Sequence, residues 1–166
     1  MDRKPKVLVF STGDSTRSQM AEGFLRTLAS DVLVPMSTSV QSPDVSPLAV
    51  EVMNEVGVDI SGQHAEDVAH SLREHFACVV TVCDASKERF PIWPFTRNIL
   101  HWNLRDPEQV TGSPEEQREA FRQVRDAINR NVQEFVHETL PTLHHHHAAA
   151  HATVPHSPAT HHHYTH

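Results

Sequence analysis

The stretch of residues 7–19, VLVFSTGDSTRSQ, decides the fold. Its apolar first part predicts a buried parallel strand, and the small polar residues that follow predict a loop that opens into a helix. Such a loop presents successive backbone N–H groups at a helix N-terminus, where they lack helical partners and the helix dipole favours negative charge. The planar guanidinium of Arg17 can bind two oxygens of a tetrahedral oxyanion. The stretch therefore predicts an anion-binding loop.

Residues 10–22, FSTGDSTRSQMAE, resemble the C-x5-R loop shared by low-molecular-weight tyrosine phosphatases and thioredoxin-coupled arsenate reductases. Residues 57–63, GVDISGQ, are similar to a G-I-D-I-S turn of the same family. Three positions of the loop differ: Ser11 replaces the nucleophilic cysteine, Asp14 a structural asparagine, and Thr16 a second cysteine of many members. The resemblance implies an oxyanion site formed by eight consecutive residues: Ser11, Thr12, Gly13, Asp14, Ser15, Thr16, Arg17 and Ser18.

Length and charge limit the other possibilities. A chain of 166 residues has room for one domain with a substantial core. Its net charge of −7 argues against a nucleic-acid binder. There is no long apolar run or signal-peptide pattern, so we expect a cytoplasmic protein without a membrane partner. The spacing of Cys78 and Cys83 on one predicted strand argues against a disulfide and favours two core cysteines.

Alternating strand and helix patterns predict an α/β fold over residues 1–143. We expect strands near residues 7–10, 33–39, 76–83 and 99–102, with Pro35 placing the second at a sheet edge. Helices are expected after the loop, over 46–56, over 66–74, and behind a capping box that begins at Ser113. The predicted fold is a flavodoxin-like, doubly wound sheet of four parallel strands with helices on both faces.

In such a sheet, ligands bind beyond the carboxyl ends of the strands. The 11–17 loop, Cys83 and Asp106 all follow strands at that end, so topology places them on one rim. Residues 101–107, HWNLRDP, resemble the H-W-x-x-x-D-P segment of the reductases. The resemblance implies a catalytic set of Ser11, Arg17, Asp106 and Cys83, with Asp106 as the acid that protonates the leaving group. The alternative for Asp106 is a turn or helix-capping aspartate.

Ser11 changes the chemistry of the loop. A cysteine there can reach a pKa of ~3.5–7.5, whereas a serine needs an adjacent base, and no histidine lies next to this loop in the sequence. The reductases also relay electrons between two cysteines spaced seven apart, and here Cys83 is followed at that spacing by Phe90. Asp14 either repels an anion or hydrogen-bonds the loop backbone as Asx residues do. A cysteine-type mechanism is therefore not expected.

Residues 144–166 differ sharply in composition from the rest. They are rich in histidine, alanine, proline and threonine and predict a disordered tail. Clustered imidazoles can capture zinc or nickel, and the alternative is a solvated tail. The candidate ligands are the histidines of two runs: His144, His145, His146, His147, His161, His162 and His163.

These observations favour an arsenate reductase-like or low-molecular-weight phosphatase-like protein that binds phosphate, arsenate or sulfate and has impaired or absent turnover. One alternative is a non-catalytic regulatory or metal-handling protein that uses the tail, and another is an active enzyme with a serine-based mechanism. The arsenate reductase-like or phosphatase-like interpretation requires no cofactor. A phosphoprotein and thioredoxin are candidate macromolecular partners.

Overall fold

The apolar strand that precedes the loop lies in the middle of a parallel sheet. The computed structural model describes residues 4–41, 44–90, 92–94 and 96–143, together with the backbone of Tyr164–Thr165. The strands are β1 (Lys6–Ser11), β2 (Val34–Ser39), β3 (Glu66–Asp67), β4 (Cys78–Cys83), β5 (Ile99–Asn103) and β6 (Tyr164–Thr165). Their order in the sheet is β3-β2-β1-β4-β5-β6, and every neighbouring pair is parallel.

The prediction of four parallel strands was wrong, because the sheet has five within residues 4–143, and β6 pairs beyond them with β5. The extra strand, β3, pairs with β2 only at Thr38 and Ser39. Two residues are too few to produce a recognisable alternation of apolar and polar side chains. β3 covers only that end of β2, so Pro35 lies on a part of β2 that has no strand on its outer side. The missing N–H of proline therefore removes no hydrogen bond between strands.

The helices are α1 (Thr16–Ala29), α2 (Pro47–Asn54), α3 (Val68–Ser71) and α4 (Pro114–Glu134). The predicted helix over 66–74 is shorter, because β3 occupies its first two residues and Asp67 caps α3 by accepting from the Ala69 amide. The capping box at the start of α4 is confirmed, with Ser113 and Glu116 bonded reciprocally. A π-helical turn, Phe135–Thr139, follows α4. None of the described helices is both long and apolar enough to span a membrane.

Two apolar clusters hold the layers together, one on each face of the sheet. The larger contains Val7 and Val9 of β1 and buries side chains of α1, α2 and α4. The smaller contains Leu8 and Phe10, which point to the other face, and is closed by Phe76, Val79 and Trp93 with Val68 of α3 packed against it. Because β1 is covered on both faces, its carboxyl end, where the loop begins, lies between two packed layers.

Gly23 of α1 sits where the helix closely approaches the turn after α2. A Cβ at this position would lie 2.6 Å from Ile60 Cγ2 and 3.2 Å from Val58 Cγ1. We expect Gly23→Ala to destabilise the protein by about 1–2 kcal/mol, because overpacking outweighs the helix propensity gained. Urea unfolding measures the change. The matched control is Gly62→Ala, where no atom lies within 4 Å, and equal stability of the two variants would contradict the prediction.

Candidate oxyanion-binding site

The loop between β1 and α1 leaves successive backbone amides available. The Thr12 amide is tied to strand β4 at 3.1 Å, and the Thr16 amide donates to Asp14 Oδ1 at 3.0 Å. In the part of the chain that the structure describes, no acceptor takes the amide hydrogens of Gly13, Asp14 and Ser15. Three free donors in sequence at a helix N-terminus can bind an anion.

Arg17 supplies the positive charge of the site. Its side chain is 1% exposed, and Nη1 donates to the Leu104 carbonyl at 2.9 Å. Nη2 lies 3.8 Å from Asp106 Oδ2, whereas Nε is buried and has no hydrogen-bond partner among the described residues. A Cβ added to Gly13 would lie 3.2 Å from both Arg17 Nη2 and Asp106 Oδ2. The absence of a side chain at Gly13 therefore leaves room directly beside the two charged groups.

Ser11 lies at the end of β1 and is fully buried. Its Oγ accepts a hydrogen bond from the Ser18 amide at 2.9 Å, so the hydroxyl oxygen points into the loop. Within the described residues, no histidine or carboxylate accepts the Ser11 proton. The hydroxyl therefore lacks the adjacent base that activates a serine nucleophile, and the assignment of Ser11 to the nucleophile position stays a prediction.

Asp106 lies after β5, at the start of a 3-10 turn, Pro107–Gln109. Oδ1 accepts from the Glu108 amide at 2.9 Å and caps this turn, while Oδ2 faces Arg17. The capping and acid interpretations are thus compatible, since each uses a different oxygen. Burial raises the pKa of Asp106, although the Arg17 guanidinium opposes the shift. A carboxyl that holds its proton to higher pH suits a proton donor, and the catalytic role of Asp106 stays a prediction.

The two cysteines are free and buried, as the sequence predicts. Cys83 ends β4 beside the loop, because Ser11 pairs with Val82 in the sheet. Burial raises the pKa of Cys83 to about 11, with the charge of Glu88 adding to the shift. The ring of Phe90 packs against the His101 ring at 4.6 Å. Cys83 therefore carries a protonated thiol at neutral pH, and its assignment, with Phe90, to the two relay positions stays a prediction.

Asp14 turns back onto the loop, in agreement with the Asx alternative, since Oδ1 accepts from the Thr16 amide. Its charge nevertheless remains near the site and contributes to the raised pKa of Asp106. The carboxylate therefore takes one amide away from any bound anion.

Two further glutamates contact the loop and were missed by the sequence analysis. Thr12 Oγ1 donates to Glu88 Oε1 at 2.9 Å, and Thr16 Oγ1 donates to Glu108 Oε2 at 2.7 Å. Both glutamates follow strands at their carboxyl ends, so the rule that placed Cys83 and Asp106 on this rim could also have found them.

One other set of side chains could hold a metal ion. Glu66, His70 and Glu74 each offer a ligand atom within 4.8 Å of the others. Lys6 already forms an ion pair with Glu74 at 2.9 Å, so part of the local negative charge is neutralised without a metal. The tail histidines His144–147 and His161–163 lie outside the described residues, and their metal binding stays a prediction.

Similarity to known proteins identifies the family of this chain. Residues 6–146 match the family described as low molecular weight phosphotyrosine protein phosphatase. The chain is similar to an arsenate reductase of Halalkalibacterium halodurans, with 36% identity over 131 residues covering 78% of this chain and 94% of the relative. The arsenate reductase of Bacillus subtilis is 34% identical with the same two coverages.

Solved structures give the same result. A structure described as an arsenate reductase in the phosphate binding state has a TM-score of 0.65 and 30% identity, and the match covers 81% of this chain and 98% of that chain. A low molecular weight protein tyrosine phosphatase from T. tengcongensis, at 20% identity and a TM-score of 0.64, shares the fold. The chain therefore belongs to the low molecular weight phosphotyrosine protein phosphatase family, which in this comparison includes arsenate reductases.

Proposed function

We propose that this protein binds a small tetrahedral oxyanion, phosphate or arsenate, in the 11–17 loop and has lost most or all of the cysteine-dependent turnover of its family. The observation that carries the proposal is the buried Arg17 guanidinium, whose Nε lacks a partner, beside the free amides of residues 13–15. A related arsenate reductase has been solved in a phosphate-binding state. Oxyanion affinity depends on charge and N–H donors and does not need a thiol.

Loss of turnover follows from the nucleophile. The thiolate of a cysteine attacks the oxyanion without a separate base, whereas Ser11 must lose its proton to a neighbouring group. The Ser11 hydroxyl is fully buried and has the Ser18 amide as its hydrogen-bond partner. Arsenate reduction also needs a second thiol, and the buried Cys83 with Phe90 seven positions later cannot supply a relay.

The purified full-length chain tests this in two assays. We expect hydrolysis of p-nitrophenyl phosphate and thioredoxin-dependent reduction of arsenate both to remain at the level of the blank. Calorimetry on the same sample should show phosphate or arsenate binding, which separates binding from chemistry. Thioredoxin-dependent turnover well above the blank would overturn the loss of activity, and absence of oxyanion binding at millimolar concentration would overturn the proposed site.

A further inference from the structure

Four carboxylates surround the 11–17 loop, and we call them the acidic rim: Asp14, Glu88, Asp106 and Glu108. Asp14 comes from the loop, Glu88 from the segment after β4, and the other two from the turn after β5. They lie close enough to influence one another, because Asp14 and Glu88 both contribute to the raised pKa of Asp106. The loop thus has one guanidinium and four acidic groups.

The other ionisable groups near the loop do not offset its excess of acidic groups over the single guanidinium. The charges of Glu88 and Asp84 both raise the pKa of Cys83, and the charge of Lys87 lowers the pKa of Asp84. The Cys83 thiol stays neutral near physiological pH, since burial raises its pKa to about 11. Among the described residues, Arg17 is the cation that lies beside Gly13 of the loop, and its Nη2 is 3.8 Å from Asp106 Oδ2.

The rim also removes donors that a fully ionised anion would need. The hydroxyls of Thr12 and Thr16 donate to Glu88 and Glu108, and the Thr16 amide donates to Asp14. An ionised carboxylate can only accept hydrogen bonds. Against a dianion it adds repulsion, but against an oxyanion that carries a hydroxyl it adds an acceptor.

We propose that the acidic rim makes the 11–17 loop selective for oxyanions that carry a proton, in their singly charged form, and that the loop rejects sulfate. Phosphate and arsenate retain protons around neutral pH, whereas sulfate has the same shape but no hydroxyl. This inference rests on the proposed function and specifies its ligand. It is narrower than the expectation from the sequence, which named phosphate, arsenate or sulfate.

Calorimetry on the full-length protein with phosphate and sulfate, at pH 6 and at pH 8, tests the selectivity. We expect sulfate to bind at least about tenfold more weakly than phosphate at pH 6. Phosphate affinity should fall between pH 6 and pH 8 as the singly charged form disappears. Glu88→Gln, which removes one charge of the rim and keeps the shape of the side chain, should raise sulfate affinity about tenfold.

Glu134→Gln is the charge-matched control, because it removes a carboxylate from the exposed end of α4. Sulfate affinity of this variant should stay within about twofold of the parent. Equal binding of phosphate and sulfate at pH 6, phosphate affinity that rises toward pH 8, or equal effects of the two variants would each overturn the selectivity while leaving the proposed function intact. If neither anion binds to any variant, the proposed function fails and the selectivity fails with it.

Discussion

Ser11→Cys is expected to create a thiol that alkylates about a hundredfold faster at pH 7 than any thiol of the parent protein. The buried Cys83 and Cys78 have pKa values raised to about 11 and about 12. A cysteine at position 11 would take the place of an oxygen that accepts the Ser18 amide, in the same loop as the buried cation Arg17. The Ser18 amide and the Arg17 charge both favour the thiolate form, so the pKa of the introduced cysteine should fall into the range of ~3.5–7.5.

The size of the effect follows from two opposing factors. A pKa lower by about four units raises the thiolate fraction about ten-thousandfold. A thiolate of lower pKa is also a weaker nucleophile, which reduces the rate about a hundredfold. The net increase is about a hundredfold. Iodoacetamide labelling followed by mass spectrometry measures the rate and identifies the modified cysteine.

The parent protein provides the background, because it contains Cys78 and Cys83 but no cysteine in the loop. The double variant Ser11→Cys/Arg17→Ala should react more slowly than Ser11→Cys, since it lacks the neighbouring charge. A Ser11→Cys protein that labels at the parent rate would show that the loop does not stabilise an anion at this position. If Ser11→Cys labels faster than the parent, we also expect this variant to show some phosphatase activity, with Asp106 as the acid. Arsenate reduction should not return, because Phe90 still occupies the predicted second relay position.

The sequence predicted the parts of the fold whose signals are local and strong. The apolar run followed by small polar residues gave β1, the loop and α1 in the correct order, and the Ser113 capping box gave the start of α4. The burial of Cys78 and Cys83 followed from the near-continuous apolar run of β4. In each of these segments, the local order of apolar and polar side chains fits one arrangement of the backbone in a packed layer.

The remaining features depend on contacts between distant segments. β3 exists because two residues pair with the end of β2, and the carboxylates Glu88 and Glu108 reach the loop across 76 and 92 residues of sequence. Nothing in the residues beside Glu88 indicates a hydrogen bond to Thr12. Topology identifies the rim on which such groups lie, but it does not give the direction of each side chain.

Arg17→Ala should reduce phosphate affinity at least about tenfold. The change removes charge-assisted hydrogen bonds worth about 1.5–3 kcal/mol each, and ~1.4 kcal/mol already corresponds to a factor of ten. It also removes the donor to the Leu104 carbonyl and the cation that faces Asp106. Isothermal titration calorimetry measures the affinity, and urea unfolding of the same sample shows whether the variant is still folded at the assay temperature.

Arg17→Lys is the matched control, because it keeps the positive charge and loses the planar arrangement of donors. Its phosphate affinity should lie between those of the parent and Arg17→Ala, since a point charge attracts the anion but cannot bind two oxygens at once. If Arg17→Ala is folded and binds phosphate as tightly as the parent, the guanidinium has only a structural role. The free amides of residues 13–15 would then hold the anion alone, and the buried ion pair with Asp106 would serve to position the turn after β5.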